Sequence, residues 1–87
     1  MNPHTQQIIR ALLDVLNDPR GVDGGLLAEG LLHGAVIQRT QPPPTLAEFE
    51  NALSFCEREQ WITSQRGKLG ALRWAITDAG IVARRDM

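Results

Sequence analysis

Apolar residues recur at helical spacing through three stretches of this chain and then change to alternation. Over residues 4–17, Ile8 or Ile9, Leu12, Leu13, Val15 and Leu16 form a broad apolar face, with Gln6, Gln7, Arg10 and Asp14 outside it. That is the period of an amphipathic helix, and Pro3 suits its first turn. Asn17-Asp18-Pro19-Arg20-Gly21 ends it with turn-forming residues. Val22 is a candidate for a short first strand.

Residues 26–38 predict a second helix, approached through Asp23-Gly24-Gly25. Leu26, Leu27, Leu31, Leu32, Val36 and Ile37 supply more apolar groups than one helical face needs. Gly30 and Gly34 stand four residues apart inside it. A helical glycine costs about 1 kcal/mol against alanine. Small residues at this spacing line one side of a helix, so close approach of another helix is expected there; a locally weak helix is the other reading. Pro42-Pro43-Pro44 then predicts a stiff extended link.

The third helix, residues 46–59, is signalled at its start. Thr45 followed by Glu48 has the spacing of a capping box, in which hydroxyl and carboxylate each satisfy the other residue's amide. Leu46, Phe49, Leu53 and Cys56 follow at helical spacing beside Ala52, and Glu48, Asn51, Ser54 and Arg58 lie off that stripe. From Trp61 the period becomes two: Leu72, Trp74 and Ile76 alternate with Arg73 and Ala75. Two such runs around Gly67-Lys68-Leu69-Gly70 predict a β-hairpin over 61–76. Thr77 caps a short helix over 78–84, with Asp78 favourably placed in its first turn. The core expected from these elements is Ile9, Leu12, Leu16, Leu27, Leu31, Leu46, Phe49, Leu53, Ile62, Trp74 and Ile76.

Eighty-seven residues predict one domain, α+β and mostly α. No apolar run approaches the length of a membrane span. The first residues lack the basic-then-apolar layout of a secretory signal, so the expectation is a cytoplasmic protein with no membrane contact. A formal charge of −1 gives no overall basic surplus for nucleic acid, which moves the question to local distribution. Arg66, Lys68 and Arg73 make residues 61–76 +3, whereas four glutamates against Arg58 make residues 45–60 −3.

Little in the sequence suggests catalysis, and neither a cofactor, a metal nor a small-molecule substrate is expected. His4 and His33 lie on different helices, and no ligand pair has zinc spacing. No phosphate-binding glycine pattern occurs. Cys56, on an apolar helix stripe, reads as a small core residue. Trp74 reads as core, and Trp61, at the junction of helix and strand, as half exposed.

The stretch Arg73-Trp-Ala-Ile-Thr-Asp-Ala-Gly80, with the change of period at Glu57 to Ile62 and the order helix, helix, helix, hairpin, short helix, resembles the winged-helix (winged helix-turn-helix) superfamily. It is similar in layout to small winged-helix proteins of bacteria and prophages. The resemblance implies three helices plus a β-hairpin wing and a short C-terminal helix. It also implies double-stranded DNA as a partner, for a regulatory or phage-associated factor. Asn51, Ser54 and Arg58, with Ala47, would lie along the exposed face of the third helix, and Gln65, Arg66, Lys68 and Arg73 on the wing. Carboxylates on the third helix depart from that pattern, because phosphates repel them. The other reading is therefore a protein-contact or dimerisation module, its acidic helix and basic wing meeting a protein partner or a second copy of itself.

Overall fold

The structure, a computed structural model, describes residues 2–17, 26–67 and 70–87. Three of the four helices in these residues begin on a side-chain cap. Helix α1 (Pro3–Leu16) starts at Asn2, whose side chain accepts from the Thr5 amide at 2.7 Å. Helix α3 (Leu46–Arg58) carries the reciprocal capping box. The Glu48 amide donates to Thr45 Oγ1 at 3.1 Å, and the Thr45 amide donates to Glu48 Oε1 at 2.9 Å. Helix α4 (Asp78–Asp86) starts at Thr77, whose hydroxyl accepts from the Gly80 amide at 3.1 Å. These acceptors satisfy amides that have no partner inside the helix.

The change of period at Trp61 has a local cause. The Gln60 amide bonds to the Glu57 carbonyl and the Trp61 amide to the Cys56 carbonyl, with Gln60 at φ 63°. This pair of bonds with a left-handed residue between them is a Schellman ending, which terminates α3 and turns the chain. Strands β2 (Ile62–Arg66) and β3 (Leu72–Ile76) then pair antiparallel, Ser64 opposite Trp74 and Gln65 opposite Arg73. At the loop, Gly70 takes φ 82°, a conformation that glycine adopts without steric cost.

Two corrections concern the second helix. Helix α2 runs from Glu29 to Arg39, not from residue 26. Leu27–Ala28 instead form a short strand, β1, pairing antiparallel with β3 (Leu27 opposite Trp74), and the sheet order is β1-β3-β2. Pairing covers the free edge of β3 and buries the Leu27 side chain, a tertiary gain that overrides helical propensity. The strand suggested at Val22, the turns around Asp18 and Gly24, and Lys68 and Leu69 lie outside the described residues.

Secondly, Gly30 and Gly34 are exposed, and a Cβ on either would meet nothing within 4 Å. They stand across α2 from its buried residues, Leu32 and Val36, so close helix packing is not their cause. The same rotation leaves Leu31 68% exposed. Leu46 is also outside the core, at 59% exposure: it is the first residue of α3, and the buried residues of that helix begin only at Phe49. Ile76 is half-buried against the core. The core centres on α1, whose Ile8, Ile9, Leu12 and Leu13 are buried with Leu32, Val36, Phe49, Leu53, Cys56, Ile62 and Trp74. Arg84 of α4 pairs with Asp14 of α1. The fold is α+β and mostly helical, four helices with a three-stranded antiparallel sheet among the described residues. None of the described helices is long and apolar enough to cross a membrane.

Candidate binding face of α3 and the ribbon

The sequence candidates on α3 do share one surface. At about 100° per residue, Ala47, Asn51, Ser54 and Arg58 stand on the side opposite the buried Phe49, Ala52, Leu53 and Cys56, and all four are exposed. They form the outward ridge of the helix. The same rotation puts Glu50 and Glu57 on one flank of that ridge and Glu48 and Glu59 on the other. Both flanks are therefore acidic, with Arg58 between them.

The ribbon candidates do not share one surface. Side chains alternate across a strand, and the pairing sets which go together. Arg66 stands opposite Leu72, on the face that carries Ser64 and the buried Trp74. Arg73 stands opposite Gln65, on the other face. All three of Gln65, Arg66 and Arg73 are exposed, but the two arginines project to opposite sides of the sheet. Lys68, the third expected cation, lies outside the described residues.

Between α3 and the sheet runs a groove of about 310 Å³, lined by Glu29, Glu50, Leu53, Ser54, Glu57, Leu72 and Trp74. Glu29 is at the first position of α2, and its Oε1 accepts from the indole Nε1 of Trp74 at 3.0 Å. Glu57 Oε2 accepts from Ser64 Oγ at 3.3 Å. Apolar surface from Leu53, Leu72 and Trp74 thus lies among three carboxylates. Among the described residues, Ser54 is the one sequence candidate that lines this groove. Glu50, Leu53, Ser54 and Glu57 fall at i, i+3, i+4 and i+7, a spacing that marks one helix face; Glu29, Leu72 and Trp74 join it only through the tertiary fold.

Elsewhere, Cys56 and the two histidines make contacts within the fold. Cys56 is fully buried, and burial, with Glu59 adding to it, pushes its thiol up to about 12, so it is an inert core group at neutral pH. His33 is half-buried and stacks on Phe49 with ring centroids 4.5 Å apart. His4 Nε2 lies 3.1 Å from the Pro42 carbonyl. Trp61 is half-buried, its ring edge-on to Phe55 at 5.6 Å. Among the described residues no group of three or more His, Cys, Asp or Glu side chains could hold a metal ion.

Comparison with protein-family models, with curated proteins and with solved structures gives no match.

Proposed function

We propose that this chain is a small winged-helix module whose α3 and ribbon face contacts a protein, not a DNA duplex. Its element order, with a two-residue strand between α1 and α2 and the sheet order β1-β3-β2, supports the winged-helix part. Carboxylates on both flanks of the outward ridge of α3 carry the functional part. The major groove is about 12 Å wide, so a helix lying in it has phosphates along both flanks. Glu50 and Glu57 on one side and Glu48 and Glu59 on the other would face them. Cation contact with phosphates supplies most of non-specific DNA affinity, and Arg66 and Arg73 project to opposite faces of the sheet. An acidic surface beside exposed arginines suits charge complementarity with a protein.

The DNA reading retains one specific support: Asn51, Ser54 and Arg58 stand together on the outward ridge of α3. Photocrosslinking separates the two. A benzophenone side chain at Ser54, irradiated in cell extract, is expected to give adducts that resist nuclease and disappear with protease. Reversal of charge by Glu50→Lys with Glu57→Lys should abolish them. Adducts removed by nuclease, together with a salt-sensitive shift of a DNA duplex that Arg66→Ala with Arg73→Ala eliminates, would replace this proposal with the DNA one.

A further inference from the structure

We infer that the groove between α3 and β3 receives an arginine or lysine side chain presented by a segment of the protein partner. This rests on the protein-contact reading and names the chemistry of the partner. Three properties of the groove select that occupant.

The first is its two-part lining. Half-buried Leu72 offers apolar surface together with the small exposed parts of Leu53 and Trp74, and Glu29, Glu50 and Glu57 stand round it. Long basic side chains match such a lining, because the methylene stem covers apolar surface while the cationic head reaches polar groups. An aliphatic residue would leave the carboxylates without a counter-charge, and an acidic one would be repelled.

The second is the free acceptor capacity of these carboxylates. Glu29 is engaged through Oε1 with Trp74, and Glu57 through Oε2 with Ser64. Among the described residues, the second oxygen of each has no bonding partner. Among the described residues no hydrogen bond or ion pair engages Glu50, and no arginine pairs with any of the three. A guanidinium carries five donors in a planar fork, so it can engage more than one of these oxygens at once.

The third is size. A groove of about 310 Å³ is at the small end of the range for organic ligands, roughly 300–1,000 Å³. It suits one or two side chains of a chain lying across it. The bond from Trp74 to Glu29 also fixes the indole against one wall, so the apolar part of the groove is held in place before anything binds.

A fluorescein-labelled nonapeptide alternating leucine and arginine, followed by fluorescence anisotropy at physiological ionic strength, tests this. The intact protein is expected to bind it. Glu50→Gln with Glu57→Gln should weaken binding tenfold or more, and Asp78→Asn with Asp86→Asn, which removes the same charge from α4, should change it less than twofold. Helical circular dichroism of both variants checks that they are folded; Glu50 and Glu57 are exposed, so both should be. A peptide with glutamine in place of arginine should not bind. Equal weakening by the α4 variant, or none by the groove variant, would show general attraction of a cation to an acidic surface and overturn the inference. Failure of the peptide to bind while Ser54 still crosslinks to protein would overturn it and leave the protein-contact reading standing. Nuclease-sensitive adducts at Ser54 would remove both.

Discussion

The hydroxyl of Thr77 donates to the carbonyl of Gln60 at 2.6 Å, tying the start of α4 to the residue that ends α3. Two further bonds complete the clasp. The Thr77 amide donates to the Trp61 carbonyl at 2.9 Å, and the Thr77 hydroxyl accepts from the Gly80 amide. Thr77→Val keeps the side-chain shape and loses both hydroxyl bonds. It should cost about 1–2 kcal/mol in urea unfolding. Thr77→Ser should recover most of that. A loss below about 0.5 kcal/mol, the level of an ordinary surface change, would mean that the clasp contributes little.

Gly80 meets the same carbonyl from the other side. A Cβ there would stand 2.1 Å from Trp61 O and 2.8 Å from Ile76 Cγ1. Backbone cannot yield as a side-chain tip can, so Gly80→Ala must push α4 away from the ribbon. A cost of about 3 kcal/mol is expected, read as a lower urea midpoint.

Gly30 and Gly34 are the opposite case. Gly34 is in the interior of α2 and Gly30 in its first turn, each with open space where a Cβ would go. Alanine at either position should raise stability by about 0.5–1 kcal/mol by reducing the freedom of the unfolded chain. The double variant should melt several degrees higher. No gain would mean that α2 is held in a shape alanine disfavours.

Removing the acceptor under Trp74 tests the wall of the groove. Glu29→Ala leaves the indole N–H of a buried ring without its partner and should cost about 1–2 kcal/mol. Glu29→Gln keeps an acceptor oxygen and should cost less. Thermal melts of the two variants distinguish this bond from a general effect of charge at the start of α2.

Cys56 gives a dependence on pH. Its thiol ionises near 9.0 when unperturbed and at about 12 in the fold. Between those values the unfolded chain releases the proton and the native one keeps it. The contribution to stability is therefore full below pH 9 and falls as pH rises towards 12. The chain has no tyrosine and a single lysine, so few other groups titrate there. Urea midpoints should fall between pH 8.5 and 10.5, and less so in Cys56→Ala. A thiol reagent at pH 8 should react only through unfolding, at the free-thiol rate scaled by the unfolded fraction.

The helices and ribbon were legible because their signals are local. Thr45 and Glu48 bond each other three residues apart, and Gln60 reverses the chain through amides that reach only to Cys56 and Glu57. Leu27 was not legible as a strand, because its reason for being one is Trp74. Leu31 and Leu32 are equally apolar, and only the rotation of α2 against α1 and α3 exposes the first and buries the second. The binding face divides in the same way. Its ridge on α3 follows from periodicity, and so does the neighbouring row of Glu50 and Glu57. That Glu29 and Trp74 stand beside that row depends on β1 and β3 meeting across 45 residues of chain.

The two tryptophans stand in unlike surroundings: Trp61 against Phe55, with Gly80 on its carbonyl, and Trp74 bonded to a carboxylate in the groove wall. Emission from the molecule therefore has two separable origins. With Trp61 changed to phenylalanine, the remaining indole reports what enters the cleft; with Trp74 changed, the other follows whether the last helix stays seated. Local loosening at one place can then be watched without interference from the other.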